Sequence, residues 1–334
     1  MKQRDVEQLA TAGTIRGGLI RGTVEATHIS WVILTPRAAF KIKKPVKLPF
    51  LDFSTLSRRH FFCEREVKLN RRFTTIYRGV VPVKRTGNAW SLGPGPGRTV
   101  DYAVEMKRMD TSKKMDVKLE TGSIHAQTIR ALGHEVAAFH RRAKKMYQPF
   151  HLPTARATFN DIRSIKPFIG KTLGERWTGM IDKSVVWSNQ FLKTHAGRMQ
   201  QRIDAGFKRD VHGDLHSGNV FLYRKPVLFD CIEFSDAFRQ IDVLYEIAFL
   251  CMELERYGYS TFSRLFLKTY SRKFNPFELP EDKMLFTYYK CLRAAIRAKV
   301  HALGAAQSKD RLRQQHLRAT RKYLRLMYSY LPGK

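Results

Sequence analysis

Hydrophobic and polar positions alternate with a period of two in the first third of the chain and follow a helical period over most of the rest. Ile29 to Thr35 is a β-prone run, Pro36-Arg37 is a turn signal, and Ala38 to Lys44 reads as a second strand. Val100 to Met106 reads as another strand, and residues 1–23, polar and rich in glycine, as a short helix and a first strand. Asp52 or Ser54 is placed to cap a helix reaching about Phe73, with Phe62, Glu66, Leu69 and Phe73 on one face and Glu64 on the wet face. Beyond residue 107 the pattern is helical. Ile129, Leu132, Val136, Phe139 and His140 mark one helix, with His140 read as a packed structural residue, and residues 170–207 form another helical region. Residues 151–167 contain two prolines and read as irregular. Val243–Leu254, Tyr288–His301 and Arg311–Tyr330 complete the pattern, the last with a packing face of Leu317, Tyr323, Leu324, Met327 and Leu331. The expected class is α+β: a small antiparallel sheet with one helix, then a larger and mostly helical part.

With 334 residues, 43% of them hydrophobic, the chain can bury a sizeable core in two lobes. Met1 to Leu9 already contains Lys2, Arg4, Asp5 and Glu7, which argues against a signal peptide, and no run of 18 apolar residues predicts a transmembrane helix. Cys63, Cys231, Cys251 and Cys291 have no C-x-x-C spacing and read as reduced, buried thiols of a cytoplasmic protein.

Charge sharpens the picture. The formal net charge is +32, from 61 Lys+Arg against 29 Asp+Glu, so the surface should attract anions, and a polyanion partner is weighed evenly against a merely solvated basic surface. Residues 214–255 run the other way: eight acids (Asp214, Asp230, Glu233, Asp236, Asp242, Glu246, Glu253, Glu255) face three bases (Arg224, Lys225, Arg239). An acidic island in a basic chain is what a divalent-cation site looks like.

The island opens on Val211-His212-Gly213-Asp214-Leu215-His216-Ser217-Gly218-Asn219-Val220, and a short hairpin then leads to Leu228-Phe229-Asp230. The spacing suits phosphoryl transfer. Asp214 would orient and deprotonate an attacking hydroxyl, and Asn219 and Asp230 would hold Mg²⁺ against nucleotide phosphates. His-Gly-Asp-x4-Asn followed by a strand ending in Asp resembles the aminoglycoside phosphotransferase-like branch of the protein-kinase-like fold. Phe229-Asp230-Cys231-Ile232-Glu233-Phe234, Ile241-Asp242 and Tyr245 to Leu250 resemble a bacterial group of such phosphotransferases, some of which carry a C-terminal P-loop ATPase domain. No G-x-x-x-x-G-K-[ST] occurs in this sequence.

The resemblance implies a bilobal fold, with an N-lobe over residues 1–107 and a C-lobe over 108–334. It also implies ATP and Mg²⁺ as cofactors and a third-strand lysine on the nucleotide phosphates. Alternation selects among Lys41, Lys43 and Lys44: Phe40 and Ile42 face the core, and Lys41 has the small Ala39 two residues before it, where adenine would lie. A carboxylate in an apolar stripe needs a cation, which makes Glu66 the partner of Lys41, the alternative being local pairing with Arg65 or Arg72. By position, hydroxyls of Thr27 or Ser30 would meet phosphate, and main-chain groups near Glu105 and Met106 the adenine edge. His212 would prop the catalytic loop, His216 would touch the transferring phosphoryl group, and Asp242 would accept catalytic-loop backbone donors or act as a plain N-cap.

The expected function is therefore an ATP- and Mg²⁺-dependent phosphotransferase acting on a hydroxyl of a small molecule. Three alternatives stand beside it. One is a protein Ser/Thr kinase-like activity. A second is a metal hydrolase using His212, Asp214 and His216, and the third is an idle module binding nucleic acid or an acidic surface. The acceptor is open between sugar, amino alcohol, nucleoside-like metabolite and protein serine. A +32 chain repels polycationic aminoglycosides at long range.

Overall fold

The computed structural model describes residues 1–333, which fall into two compact units. The first comprises residues 1–117, 219–223 and 227–239. The second comprises residues 118–218, 224–226 and, among the described residues, 240–333.

The first unit opens with helix α1 (Gln3–Ala12) and holds an eight-stranded sheet among the described residues. Its strands are β1 (Thr14–Ile15), β2 (Gly18–Leu19), β3 (Thr23–Ala26), β4 (Ser30–Leu34), β5 (Ala38–Lys43), β6 (Tyr77–Thr86), β7 (Ala89–Leu92) and β8 (Arg98–Lys107), in the spatial order β2-β1-β7-β6-β8-β5-β4-β3. Pairing is antiparallel except between β1 and β7. β6 and β7 run through a stretch that carries no clean alternation, with Pro82 at its centre. The Gly-Pro-Gly-Pro-Gly segment at 93–97 is the turn into β8. There Gly97 sits at φ +100°, and a Cβ would lie 2.4 Å from Thr86 Oγ1 and 2.9 Å from Arg85 O.

Alternation along the strands gives the sheet two covered faces. Trp31, Ile33, Phe40 and Ile42 pack with Val6 and Leu9 of α1. Ala39, Val104 and Met106 pack with Cys63 and Val67 of α2 (Leu56–Asn70). The α2 N-cap is Thr55, whose side chain accepts from Arg58 N, rather than Asp52 or Ser54; Asp52 instead accepts from the Ser54 backbone and hydroxyl. The buried face of α2 is Arg59, Cys63, Glu66, Val67 and Asn70, rotated from the expected stripe, and Glu66 is the one residue common to both.

The second unit is helical: α3 (Ala126–Arg142), α4 (Glu175–Asp204), α5 (Val243–Arg256), α6 (Ser260–Lys273), α7 (Glu281–Gln307) and α8 (Asp310–Ser329) are its long elements. Residues 151–167 are not irregular. Leu152–Asn160 and Lys166–Leu173 are helices joined by a 3₁₀ turn, and each carries its proline in the first turn, where no N–H is required. All four cysteines are buried, and none is in a disulfide. Among the described residues no helix is long and apolar enough to cross a membrane.

Candidate active site

In the first unit, five charged side chains from three separate stretches of the chain close a network beneath the sheet. The β5 alternation turns Lys41 and Lys43 to the α2 face. Lys41 Nζ donates to Glu66 Oε1 at 2.9 Å and to Asp230 Oδ1 at 2.5 Å. Lys43 Nζ donates to Glu66 Oε2 at 2.7 Å and also to Glu233 Oε1. Glu66 is wholly buried, and Lys43 nearly so. Burial works against the Lys41 ammonium, but Asp230 and Glu66 more than offset it and hold its pKa well above the ordinary lysine value. Burial alone would raise Glu66; the two ammonium groups instead pull it down to about 2. Glu233 moves upward, because its burial, with repulsion from Glu66 added, outweighs Lys43.

Asp230 is held from the backbone side. Its N–H donates to the buried Tyr77 hydroxyl at 3.0 Å, and the next N–H, of Cys231, donates to Asn70 Oδ1 at 2.9 Å. Its φ of +61° is a left-handed conformation that aspartate tolerates better than most residues, and one that clusters at functional sites. The hairpin of β9 (Val220–Phe221) and β10 (Val227–Leu228) brings Asn219 near: Phe229 N donates to Asn219 O at 3.2 Å, so the chain register sets Asn219 opposite the residue before Asp230. The Asp230 side chain is 42% exposed, and its partner is an ammonium, the kind of charge a metal cation would replace. A carboxylate and an amide oxygen are hard donors that fit Mg²⁺, which fills its other positions with phosphate and water.

The remaining predicted nucleotide residues are placed less openly. Thr27 and Ser30 close a tight turn on each other: Thr27 Oγ1 accepts from Ser30 N at 3.0 Å and donates to Ser30 O. Ser30 is wholly buried opposite Lys43, its hydroxyl without a partner, so it does not present a donor to a phosphate as expected. Glu105 and Met106 lie inside β8, paired with β5 on one side and β6 on the other, so their main-chain groups are engaged in the sheet. The Glu105 carboxylate binds Arg16 and Arg78.

In the second unit the His212–Gly218 loop is pinned from behind. Glu246 of α5, wholly buried, accepts from Gly213 N at 2.5 Å, from His212 N at 3.1 Å and from His140 Nε2 at 2.7 Å; His140 Nδ1 meets the Tyr270 hydroxyl at 2.8 Å. Burial would raise the Glu246 pKa, but these bonds bring it below the ordinary value. The backbone clamp expected of Asp242 is thus supplied by Glu246. Asp242 instead caps α5 through Leu244 N and forms a bidentate pair with the buried Arg202 at 2.7 and 2.9 Å. The distinction is one helical turn: Asp242 sits at the cap and Glu246 one turn in, on the loop side.

His212 Nδ1 accepts from Asp214 N at 3.3 Å, and His216 Nδ1 accepts from Gly218 N at 3.0 Å. His216 Nε2 lies 3.4 Å from Asp214 Oδ2. Burial opposes ionisation of Asp214, but His216, Arg293 and Arg297 hold its pKa well below the carboxylate range, so it is an anion at neutral pH. A metal centre of His212, Asp214 and His216 is not what this loop builds: one imidazole nitrogen of each histidine is occupied by a backbone N–H group, and among the described residues no group of three or more His, Cys, Asp or Glu gathers around a point. Nearby, a cavity of about 150 Å³ is lined by Tyr245, Tyr288, Tyr289, Leu192 and Phe150, among others.

The acidic island is mostly a pairing hub. Asp236 binds Arg65 and Arg239, Glu255 binds Lys290 at 3.0 Å, and Glu253 accepts from Tyr323 at 2.5 Å. Sequence reasoning missed Lys43, Glu233 and Glu246. For the first two the signal was present, a second lysine on the ligand face of β5 and an unassigned acid three residues past Asp230.

No protein-family model matches the chain. An uncharacterised protein of Mycobacterium tuberculosis strain H37Rv and one of Mycobacterium bovis are each 28% identical over 292 residues, or 86% of this chain. The chain spans only 56% of the length of each. Among solved structures, a choline kinase from Cryptosporidium parvum superposes with a TM-score of 0.52 at 13% identity, covering 91% of this chain and 88% of that one. The GDP complex of an aminoglycoside 2'-phosphotransferase superposes with a TM-score of 0.52 at 12% identity, covering 99% and 97%. A choline/ethanolamine kinase family protein from Mesorhizobium loti gives 0.50 at 12% identity, covering 98% and 100%.

Proposed function

We propose that the chain, which has the α+β, protein-kinase-like fold found in aminoglycoside phosphotransferases and choline kinases, is an ATP- and Mg²⁺-dependent phosphotransferase with a small-molecule hydroxyl as acceptor. The single observation that carries this reading is the Lys41–Glu66–Asp230 set, in which residues 25 and 189 positions from Lys41 in the sequence converge on one ammonium.

In this reading Lys41, oriented by Glu66, holds the nucleotide phosphates, and Lys43 with Glu233 fixes Glu66 from the other side. Asn219 and Asp230 would hold Mg²⁺, which when bound neutralises charge on the phosphates. Asp214 is kept ionised, so its carboxylate can accept the hydroxyl proton as the acceptor oxygen bonds the γ-phosphorus and the bond from that phosphorus to the β–γ bridging oxygen breaks, releasing ADP. His216 orients that carboxylate. The Glu246 clamp fixes the loop backbone, which matters because the chemistry is mostly positioning. Apolar Val32, Leu34, Ala39 and Phe229, packed together on the α2 face, supply a surface against which a base can lie. An N-lobe over residues 1–107 and a C-lobe over 108–334 remain the proposed functional division.

The test is phosphate transfer from labelled ATP into metabolite fractions, comparing wild type with Asp214→Ala. Transfer is expected to vanish in the variant while nucleotide binding persists; full turnover by Asp214→Ala would end the assignment.

A further inference from the structure

Buried arginines in the helical unit are matched by carboxylates or, as for Arg209, by several backbone carbonyls, except in one place. Arg202, wholly buried, has Asp242 and Asp282, and Arg198 has Asp282 at 2.8 Å and Glu278. Arg293 is 7% exposed, has no carboxylate within 4 Å among the described residues, and leaves its Nε buried with no partner. One Nη2 bond to Gly213 O at 3.1 Å and the faces of Tyr245 and Phe249, 3.9 and 4.5 Å from its guanidinium carbon, are its contacts. One turn on, Arg297 reaches no carboxylate oxygen of the described residues closer than that of Glu253 at 3.9 Å. Glu253 is already committed to the Tyr323 hydroxyl at 2.5 Å and Ser217 at 3.1 Å. Arg256, on α5, bonds the same Tyr323 hydroxyl at 2.9 Å and also lacks a carboxylate within 4 Å among the described residues.

Of these three guanidiniums only that of Arg297 comes within 4 Å of a carboxylate among the described residues, and that carboxylate already accepts from two hydroxyls. A buried cation without a counter-ion is costly, and a bound anion removes that cost. The cluster also has a direction. Arg293, Arg297 and His301 fall at four-residue spacing on one face of α7, and the fields of both arginines act on Asp214 while that of His216 acts on His301. Asp214 and Arg297 keep 39% and 23% of their side-chain surface exposed, so a small molecule can reach both.

We infer that Arg293 and Arg297 form the seat of an anionic group, phosphate or carboxylate, on the acceptor itself. This rests on Asp214 as the residue that takes the acceptor's hydroxyl proton. The acceptor class is then a hydroxyl compound that already bears negative charge, and amino alcohols and polyamines are disfavoured. The planar, bidentate guanidinium suits either anion.

Two measurements test it. Inorganic phosphate and, separately, acetate are titrated calorimetrically into the nucleotide-free full chain. One of them should bind, and Arg297→Gln should weaken that binding about tenfold or more, whereas the exposed Lys322→Gln should not. The better-bound anion names the source. Arg293→Lys, which keeps the charge but not the fork, should also bind more weakly. Equal binding by wild type and Arg297→Gln overturns the seat. Transfer from ATP is then compared on glycerol, ethanolamine, glycerate and glycerol 3-phosphate. An anionic member should lead in kcat/KM, with Arg297→Gln removing the preference through KM. A preference for ethanolamine, or equal loss on all acceptors with a raised KM for ATP, overturns it. No transfer to any compound counts against the phosphotransferase reading, while the phosphate and acetate titrations still decide the anion seat.

Discussion

Replacing Glu66 with Gln probes the charged network under the sheet most directly. The carboxylate is wholly buried between two ammonium groups, 2.9 Å from Lys41 and 2.7 Å from Lys43. Its folded-state pKa of about 2 lies below the ordinary 4.5. At about 1.4 kcal/mol for each pH unit of that difference, the ionised form contributes about 3 kcal/mol at neutral pH. A folded-state pKa below the unfolded one means that this contribution is fully present above about pH 4.5 and is lost as pH falls toward 2. Glu66→Gln should thus be destabilised by about 3 kcal/mol at pH 7, measured by urea unfolding with circular dichroism, and the gap to wild type should close between about pH 4.5 and pH 2. Other carboxylates, Asp282 among them, titrate in both proteins and cancel in the difference. A gap that stays constant from pH 7 to pH 3 would refute the reasoning, because the loss would then come from packing and not from the ion pairs.

Glu246→Gln keeps the shape of the loop clamp but removes its charge. It should reduce turnover by about tenfold or more with little change in nucleotide affinity, and amide exchange at Gly213 should quicken; unchanged exchange would count against the clamp. Asp242→Ala removes a helix cap and leaves Arg202 with Asp282 alone. A loss of about 3 kcal/mol is expected in urea unfolding, and a double-mutant cycle with Arg202→Met should recover most of it.

How much of this was legible in the sequence depends on whether a residue's role is set by local periodicity. Alternation along Ala38–Lys43 is local, and it is enough to point Lys41 away from the Phe40 and Ile42 core. Glu66 was legible because a carboxylate in an amphipathic helix needs a cation, even though the stripe itself was rotated. Asp242 and Glu246 were not separable, since both are acids near a helix start and only the helix's approach to the 212–213 backbone tells them apart. Ser30 misled because strand alternation gives a side, not an exposure: it lies on the face of Lys41 and Lys43 and is wholly buried there. Pro153 and Pro167 misled for the opposite reason, since a proline both ends and begins helices.

The segment 219–239, apart from 224–226, rejoins the unit formed by the first 117 residues. As the polypeptide leaves the ribosome, the amino-terminal sheet is available long before Asp230 and Glu233 have been translated, with Lys41 and Lys43 sharing Glu66 alone. Its final consolidation must wait for roughly a hundred intervening residues, at ordinary elongation rates about 5 to 20 seconds. Nascent chains stalled before residue 230 should therefore be digested readily by protease in their sheet region, and those stalled after 239 should resist.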